Sequence, residues 1–179
     1  MKTLPIYLLF IFCIHQTSYA QKDYAIMKND TIYGKIRNAV FGGAVFLTTE
    51  DGEIKLKPVN VSGYYRSKHN ETYVSRTIPG QEKPVFMYQL AVGKIKLYTH
   101  TVSYQSYGNS GSTVTTWYAE KEGSGFNEIK TTGLRGGKGD RKEFFRSLIA
   151  DNEEVVKKFD ASKKFDFKTI EELIKEYNN

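Results

Sequence analysis

The chain has 179 residues, with 26 Lys+Arg against 20 Asp+Glu, 3 His and one Cys. A lone thiol excludes a disulfide framework, and a formal charge of +6 spread over this length is weak for a nucleic-acid binder. At 40% hydrophobic and 26% charged, the composition is that of a globular chain long enough to hold itself together by its core.

The first twenty residues follow an export pattern. Lys2 precedes an apolar run from Leu4 to Ile14, and Ser18-Tyr19-Ala20 puts small residues where a signal peptidase reads, so cleavage before Gln21 is expected. The destination is then periplasmic, outer-membrane-associated or extracellular. The run is shorter than the about 20 residues of a membrane span, and no transmembrane segment is expected after cleavage. Cys13 lies inside the run behind bulky Phe12, which argues against lipid attachment. Residues 21–179 keep 25 basic and 20 acidic side chains and no cysteine.

From Asp23 to about Thr132 the pattern has period two, broken by turn signals, which predicts antiparallel strands. A first hairpin is expected over Tyr24–Lys28 and Thr31–Ile36, turning at Asn29-Asp30. A second joins Val45–Thr49 to Ile54–Lys57 across Asp51-Gly52, with Ile54 and Leu56 alternating with charged residues. Val59 to Val74 reads either as a short helical turn or as a strand around Tyr64-Tyr65. Val85–Val92 and Lys94–Tyr98, joined at Gly93, are expected as the central pair of the sheet. Thr101–Tyr107 and Thr113–Glu120 form a Thr/Tyr/Val-rich hairpin around a Gly/Ser tip, and Phe126–Thr132 adds a last strand.

At Gly133 the period changes to that of helices. Asp140 with Glu143, and Asp151 with Glu154, predict two capped starts; Asp166 predicts a third, with Ile170, Leu173, Ile174 and Tyr177 on one stripe. Helices this short need a surface to pack on. The expected class is therefore α+β: an antiparallel sheet, meander or open roll, over residues 21–132, followed by two or three short C-terminal helices in 133–179, together one domain.

Asp30-Thr31-Ile32-Tyr33-Gly34-Lys35-Ile36, Gly93-Lys94-Ile95-Lys96-Leu97-Tyr98 and Arg141-Lys142-Glu143-Phe144-Phe145 followed by Asp151, with the helix from Phe165 to Tyr177, resemble a family of uncharacterised exported bacterial proteins. The resemblance implies this architecture and compartment, and carries no activity or functional residue.

Chemistry is sparse. Residues 21–179 offer two histidines, His69 in a polar loop and His100 at a strand end, and no thiol nucleophile or Gly-x-Ser-x-Gly elbow. No recurring His/Cys/carboxylate spacing suggests a metal, and no cofactor is expected. Glu50-Asp51 with Glu53 reads as a hairpin tip rather than a cation site. Gly133 to Lys142 sets glycines and Arg135, Lys138, Arg141 and Lys142 at a helix start, a candidate anion contact, but its spacing is not that of a Walker loop. Asp140 would compete there with any bound anion.

The basic excess is thinly spread, 14 basic to 10 acidic in 21–132 and 11 to 10 in 133–179, so no specific nucleic-acid binding is expected. Tyrosine is the unusual residue, with eleven from position 21 onward. Most suit half-buried strand positions, but Tyr104, Tyr107, Trp117 and Tyr118 on the Gly/Ser-tipped hairpin are the candidate binding face. Three Asn-x-Ser/Thr matches, at Asn29, Asn60 and Asn70, are short enough to arise by chance. The leading expectation is a non-catalytic exported domain that binds a glycan, a protein or another envelope component. Its alternative is a small hydrolase whose carboxylate pair meets only in the fold.

Overall fold

The computed structural model describes residues 22–28, 30–39, 43–105, 111–134 and 136–179. Its strands are β1 (Asp23–Met27), β2 (Asp30–Asn38), β3 (Val45–Thr49), β4 (Gly52–Leu56), β5 (Gly63–Arg66), β6 (Glu71–Arg76), β7 (Val85–Ala91), β8 (Ile95–Gln105), β9 (Gly111–Lys121) and β10 (Gly125–Thr131). Helices α1 (Lys138–Leu148), α2 (Glu153–Ala161) and α3 (Phe167–Asn178) follow, giving the expected α+β order. The leader lies outside the described residues.

The strands form an antiparallel ladder in the order β10-β9-β8-β7-β6-β5-β1-β2-β3-β4. Chain neighbours are sheet neighbours at every step but one. After β4 the chain returns through Pro58 to Ser62 and lays β5 on the free side of β1, with Tyr64 opposite Ala25. The middle of the sheet is therefore β5–β6, and the apolar pair β7–β8 lies to one side. A 3-10 turn at Ser67–His69 separates β5 from β6, so both readings of Val59 to Val74 hold in part. The segments expected separately at Lys94–Tyr98 and Thr101–Tyr107 are one strand, β8.

Strand β2 serves two ladders. Its first half pairs with β1 from Asp30 to Gly34, and its second half pairs with β3 from Lys35 to Asn38. The handover is at Gly34, where a Cβ would stand 2.3 Å from the Thr48 carbonyl oxygen and 2.9 Å from Leu47 Cδ1. Only glycine admits so close a crossing. Ile36 N–H lies past the end of β1, and Asp23 Oδ2 accepts it at 2.8 Å. The other oxygen of Asp23 accepts the Ser67 N–H and hydroxyl, each at 2.7 Å. One carboxylate thus closes the bend and ties it to the end of β5. Burial raises the Asp23 pKa, but the Ser67 hydroxyl, the Ile36 and Ser67 amides and the Arg66 charge outweigh it, leaving the group below its ordinary value.

The bend brings Ile36, Val45, Leu47 and Leu56 against Ala25, Val61 and Tyr64 in a shared apolar cluster. Farther along, Ile95, Leu97, Trp117, Ala119 and Ile129 are covered by the apolar stripes of the three helices. On the opposite side of the same strands, Met87, Tyr98 and Tyr118 pack with Ile78 from the loop between β6 and β7.

The helix starts differ in part from expectation. Asp166 caps α3, accepting Thr169 N–H at 2.9 Å. For α2 the cap is Asn152, accepting Val155 N–H at 3.2 Å. Asp151 is drawn away by Lys121 Nζ at 2.7 Å and by the Tyr177 hydroxyl at 2.8 Å. Helix α1 begins before Asp140 because Gly137, at φ 78, turns the chain into the helix; Asp140 then sits in the first turn, its charge favoured by the helix dipole. At the far end, Asn178 accepts Ile95 N–H at 2.9 Å and donates to Ile95 O at 2.8 Å, clamping α3 to β8. Gly93 leaves room for that clamp, since a Cβ there would lie 2.3 Å from Asn178 Cγ.

Gly34→Ala should therefore lower unfolding free energy by about 3 kcal/mol in urea titration, the upper end of overpacking costs. Asp23→Asn tests the bend by pH. Because the folded pKa is depressed, the Asp23 contribution is present above its unfolded value, near 3.8, and disappears as pH falls through the folded one. The stability difference between native protein and variant should be largest near neutrality and shrink on acidification.

Candidate functional site

Chain economy at the first hairpin creates an unfilled place in the sheet. Strands β1 and β2 register as Met27↔Asp30, Ala25↔Ile32 and Asp23↔Gly34, with Lys28 at φ 58 in the turn. The turn thus falls one residue before Asn29-Asp30, because Asp30 is already a strand residue; Asn29 itself lies outside the described residues. In such a short hairpin the closing pair exchanges hydrogen bonds and the alternation continues outward. Asp30, Ile32 and Gly34 then point their backbone groups at β1, while Thr31 and Tyr33 point theirs away. Past the bend, that outward side is taken by β3, starting at Lys35↔Thr48. Among the described residues no strand pairs with Thr31 or Tyr33 on that side, and Tyr33 faces an open notch.

The notch is a cleft of about 720 Å³ between β2 and the tip of the β3–β4 hairpin. Its walls include Tyr33, Lys35, Thr48, Thr49, Glu50 and Asp51, with Ile32 and Ile54 at its apolar side. The Tyr33 ring is 60% exposed. It stands edge-on to Tyr24 at 6.0 Å, and Tyr24 stacks on Tyr65 at 5.3 Å. Tyr65 is buried and its hydroxyl donates to Asn70 at 3.0 Å, so the ladder is anchored in the fold at its inner end. Glu53 is engaged by Arg37, whose Nε donates to it at 2.7 Å. Sequence reading passed over Tyr24 and Tyr33; counting residues outward from the correct turn is the signal that pairs them.

The expected aromatic face on the β8–β9 hairpin is divided by the pleat. Trp117 is 8% exposed and lies under the helices, its ring 4.7 Å from Phe167. Tyr118 is 4% exposed on the opposite side, stacked on Phe126 at 5.2 Å. Tyr104 is the exposed member, while Tyr107 lies outside the described residues. Consecutive strand residues cannot share a face, so Trp117 and Tyr118 serve two cores rather than one platform.

The basic residues at the start of α1 are also divided. Arg141 donates to Glu128 at 3.1 Å and to Gly136 O at 2.8 Å. Lys142 Nζ sits over the Phe159 ring at 5.4 Å, Lys138 is exposed at the first turn, and Arg135 lies outside the described residues. These side chains do not converge on a common point, and Arg141 already serves a carboxylate.

A second depression, of about 890 Å³, is bordered by Lys96, Glu120, Glu122 and Phe126. Glu120 accepts from the Tyr98 hydroxyl at 2.6 Å and from Arg76 at 3.0 Å, with Lys96 Nζ at 3.8 Å. Burial raises the Glu120 pKa, but these hydrogen bonds and charges prevail and hold it below its ordinary value. Burial and the Glu120 carboxylate push the Tyr98 hydroxyl up to about 12. A carboxylate held in its ionised form could serve as the base or nucleophile of a two-carboxylate hydrolase but not as the proton donor that such a site also requires. His100 on β8 is half-buried, and burial lowers its pKa. No group of three or more His, Cys, Asp or Glu among the described residues is placed to hold a metal ion.

Comparisons with protein-family models, curated proteins and solved structures return no match.

Core and surface aromatics should separate in mutagenesis. Trp117→Ala should cost about 3 to 5 kcal/mol in chemical denaturation, as for a buried ring lost from a packed core. Tyr104→Ala should stay within about 0.5 kcal/mol of the native protein.

Proposed function

We propose that the protein is a non-catalytic exported domain of the cell envelope, and that it binds a glycan in the notch between β2 and the β3–β4 tip. One observation carries this reading: Tyr33 presents an exposed ring, braced by Tyr24, at the mouth of a cleft whose other walls are hydroxyls and side chains of both charges. A sugar has an apolar C–H face that covers an aromatic ring and a rim of hydroxyls that both donate and accept. Carboxylates of Glu50 and Asp51 can accept from such hydroxyls, and the outward N–H group of Tyr33 can donate to them. Mixed charge in the cleft suits a largely neutral polyol better than a strongly anionic ligand. Export follows from the leader pattern at Lys2 to Ala20, which brings the domain to envelope polysaccharides.

Isothermal titration of residues 21–179 with neutral oligosaccharides of glucose, galactose and N-acetylglucosamine tests this. Tyr33→Ala should weaken binding about tenfold, or about 1.4 kcal/mol, with Tyr33→Phe within about twofold of native, because ring area rather than the hydroxyl carries the contact. Equal binding by Tyr33→Ala, or no saccharide bound by the native protein, would overturn the reading.

A further inference from the structure

The β8–β9 hairpin outruns its neighbours. Its register is unbroken from Ile95↔Lys121 to Gln105↔Gly111. Strand β7 pairs with β8 only as far as Thr99, and β10 pairs with β9 only as far as Thr116, with two added bonds, from Thr132 N–H to Thr115 O and from Thr115 N–H to Thr132 Oγ1. From Thr101 to Gln105 and from Gly111 to Val114 the hairpin is a two-stranded ribbon, with no strand paired on either flank among the described residues. Thr101, Ser103, Ser112 and Thr113 are exposed, and Tyr104 is 54% exposed.

Bare strand edges are ordinarily protected by charge, proline or a bulge. None of these devices occurs in the ribbon. The 23 residues from Leu97 to Ala119 contain no Asp, Glu, Lys, Arg or Pro, in a chain that is 26% charged. Threonine, valine and tyrosine dominate instead, and Thr101–Thr115 and Ser103–Thr113 hydroxyl pairs at 3.3 Å tie the two strands on one face.

We infer that this ribbon is a homotypic docking arm, in which two copies of the chain pair the outer edges of β8 antiparallel about a twofold axis at Ser103. A second copy is the occupant because of charge. Two copies of residues 21–179, each with 25 basic against 20 acidic side chains, repel, and an uncharged arm extending past the sheet lets their strands meet while their charged surfaces stay apart. Strand β8 supplies the edge because Thr101 to Gln105 is an unbroken run, whereas the β9 edge starts at Gly111-Ser112. About that axis Val102 of one copy lies opposite the second copy's Tyr104, the aromatic and β-branched cross-strand pairing that sheets favour. So few residues bury less than the about 1,200 Å² of a stable interface, which makes the association weak and reversible. The inference is independent of the glycan-binding notch, which lies on other strands.

Sedimentation of residues 21–179 over a wide concentration range should show a monomer–dimer equilibrium. Ser103→Lys places two charges on the axis and should abolish the dimer with unchanged thermal unfolding. Since this stretch has no cysteine, a single introduced thiol reports only contacts between molecules. On mild oxidation Ser103→Cys should cross-link about tenfold faster than Thr113→Cys, because an axial pair falls within disulfide reach. A native protein that stays monomeric up to about 1 mM, a dimer that survives Ser103→Lys, or equal cross-linking of the two thiols overturns the inference.

Discussion

The close passage of β3 over Gly34 is the constraint on which the architecture rests. A side chain there would collide with the Thr48 carbonyl, so β2 could not leave β1 and take up β3 within one step. Without that turn, Leu47 and Leu56 would lose the surface of β1 and β5 that buries them. Glycine alone makes the bend permissible; Asp23 makes it definite. Its two oxygens accept three donors from β2 and from the turn after β5, so bend and sheet centre are fixed by one side chain. A hydrogen-bonded carboxylate of this kind is worth more than a neutral acceptor.

The same bend explains why the molecule is bare where it is. A strand that changes partners midway leaves one flank of its first half uncovered, and the notch beside Tyr33 is that flank. At the other side of the sheet, three helices and the loop carrying Ile78 cover both faces of β8 and β9 near their base, while Thr101, Ser103, Tyr104, Ser112 and Thr113 farther out are exposed. The two exposed features thus come from one economy: ten strands of unequal length, with cover enough for the middle.

Much of this order was legible along the chain. Period-two alternation located the strands, the switch to helical spacing after Gly133 located the tail, and Asp166 marked its cap correctly. Long-range choices were not legible. Nothing local says that β5 should return to β1, since strand pairing depends on cluster formation across the chain. Asp151 satisfied the local capping rule as well as Asn152 did; Lys121 and Tyr177, distant in sequence, decided between them. The expected aromatic face is divided for a related reason. Trp117 and Tyr118 are adjacent in sequence and therefore opposite in the pleat, whereas Tyr24 and Tyr33 are distant in sequence and adjacent across a ladder.

The stretch between Lys96 and Lys121 holds neither lysine nor arginine, which has a consequence for proteolysis. Exposed tips are where proteolytic nicking concentrates, yet trypsin-like enzymes, which cut after lysine or arginine, find no site between these two residues. Lys121 is itself held by Asp151 and the Leu148 carbonyl at the base of the sheet. The ribbon of Thr101–Gln105 and Gly111–Val114 is thus closed to that whole class of protease by composition alone.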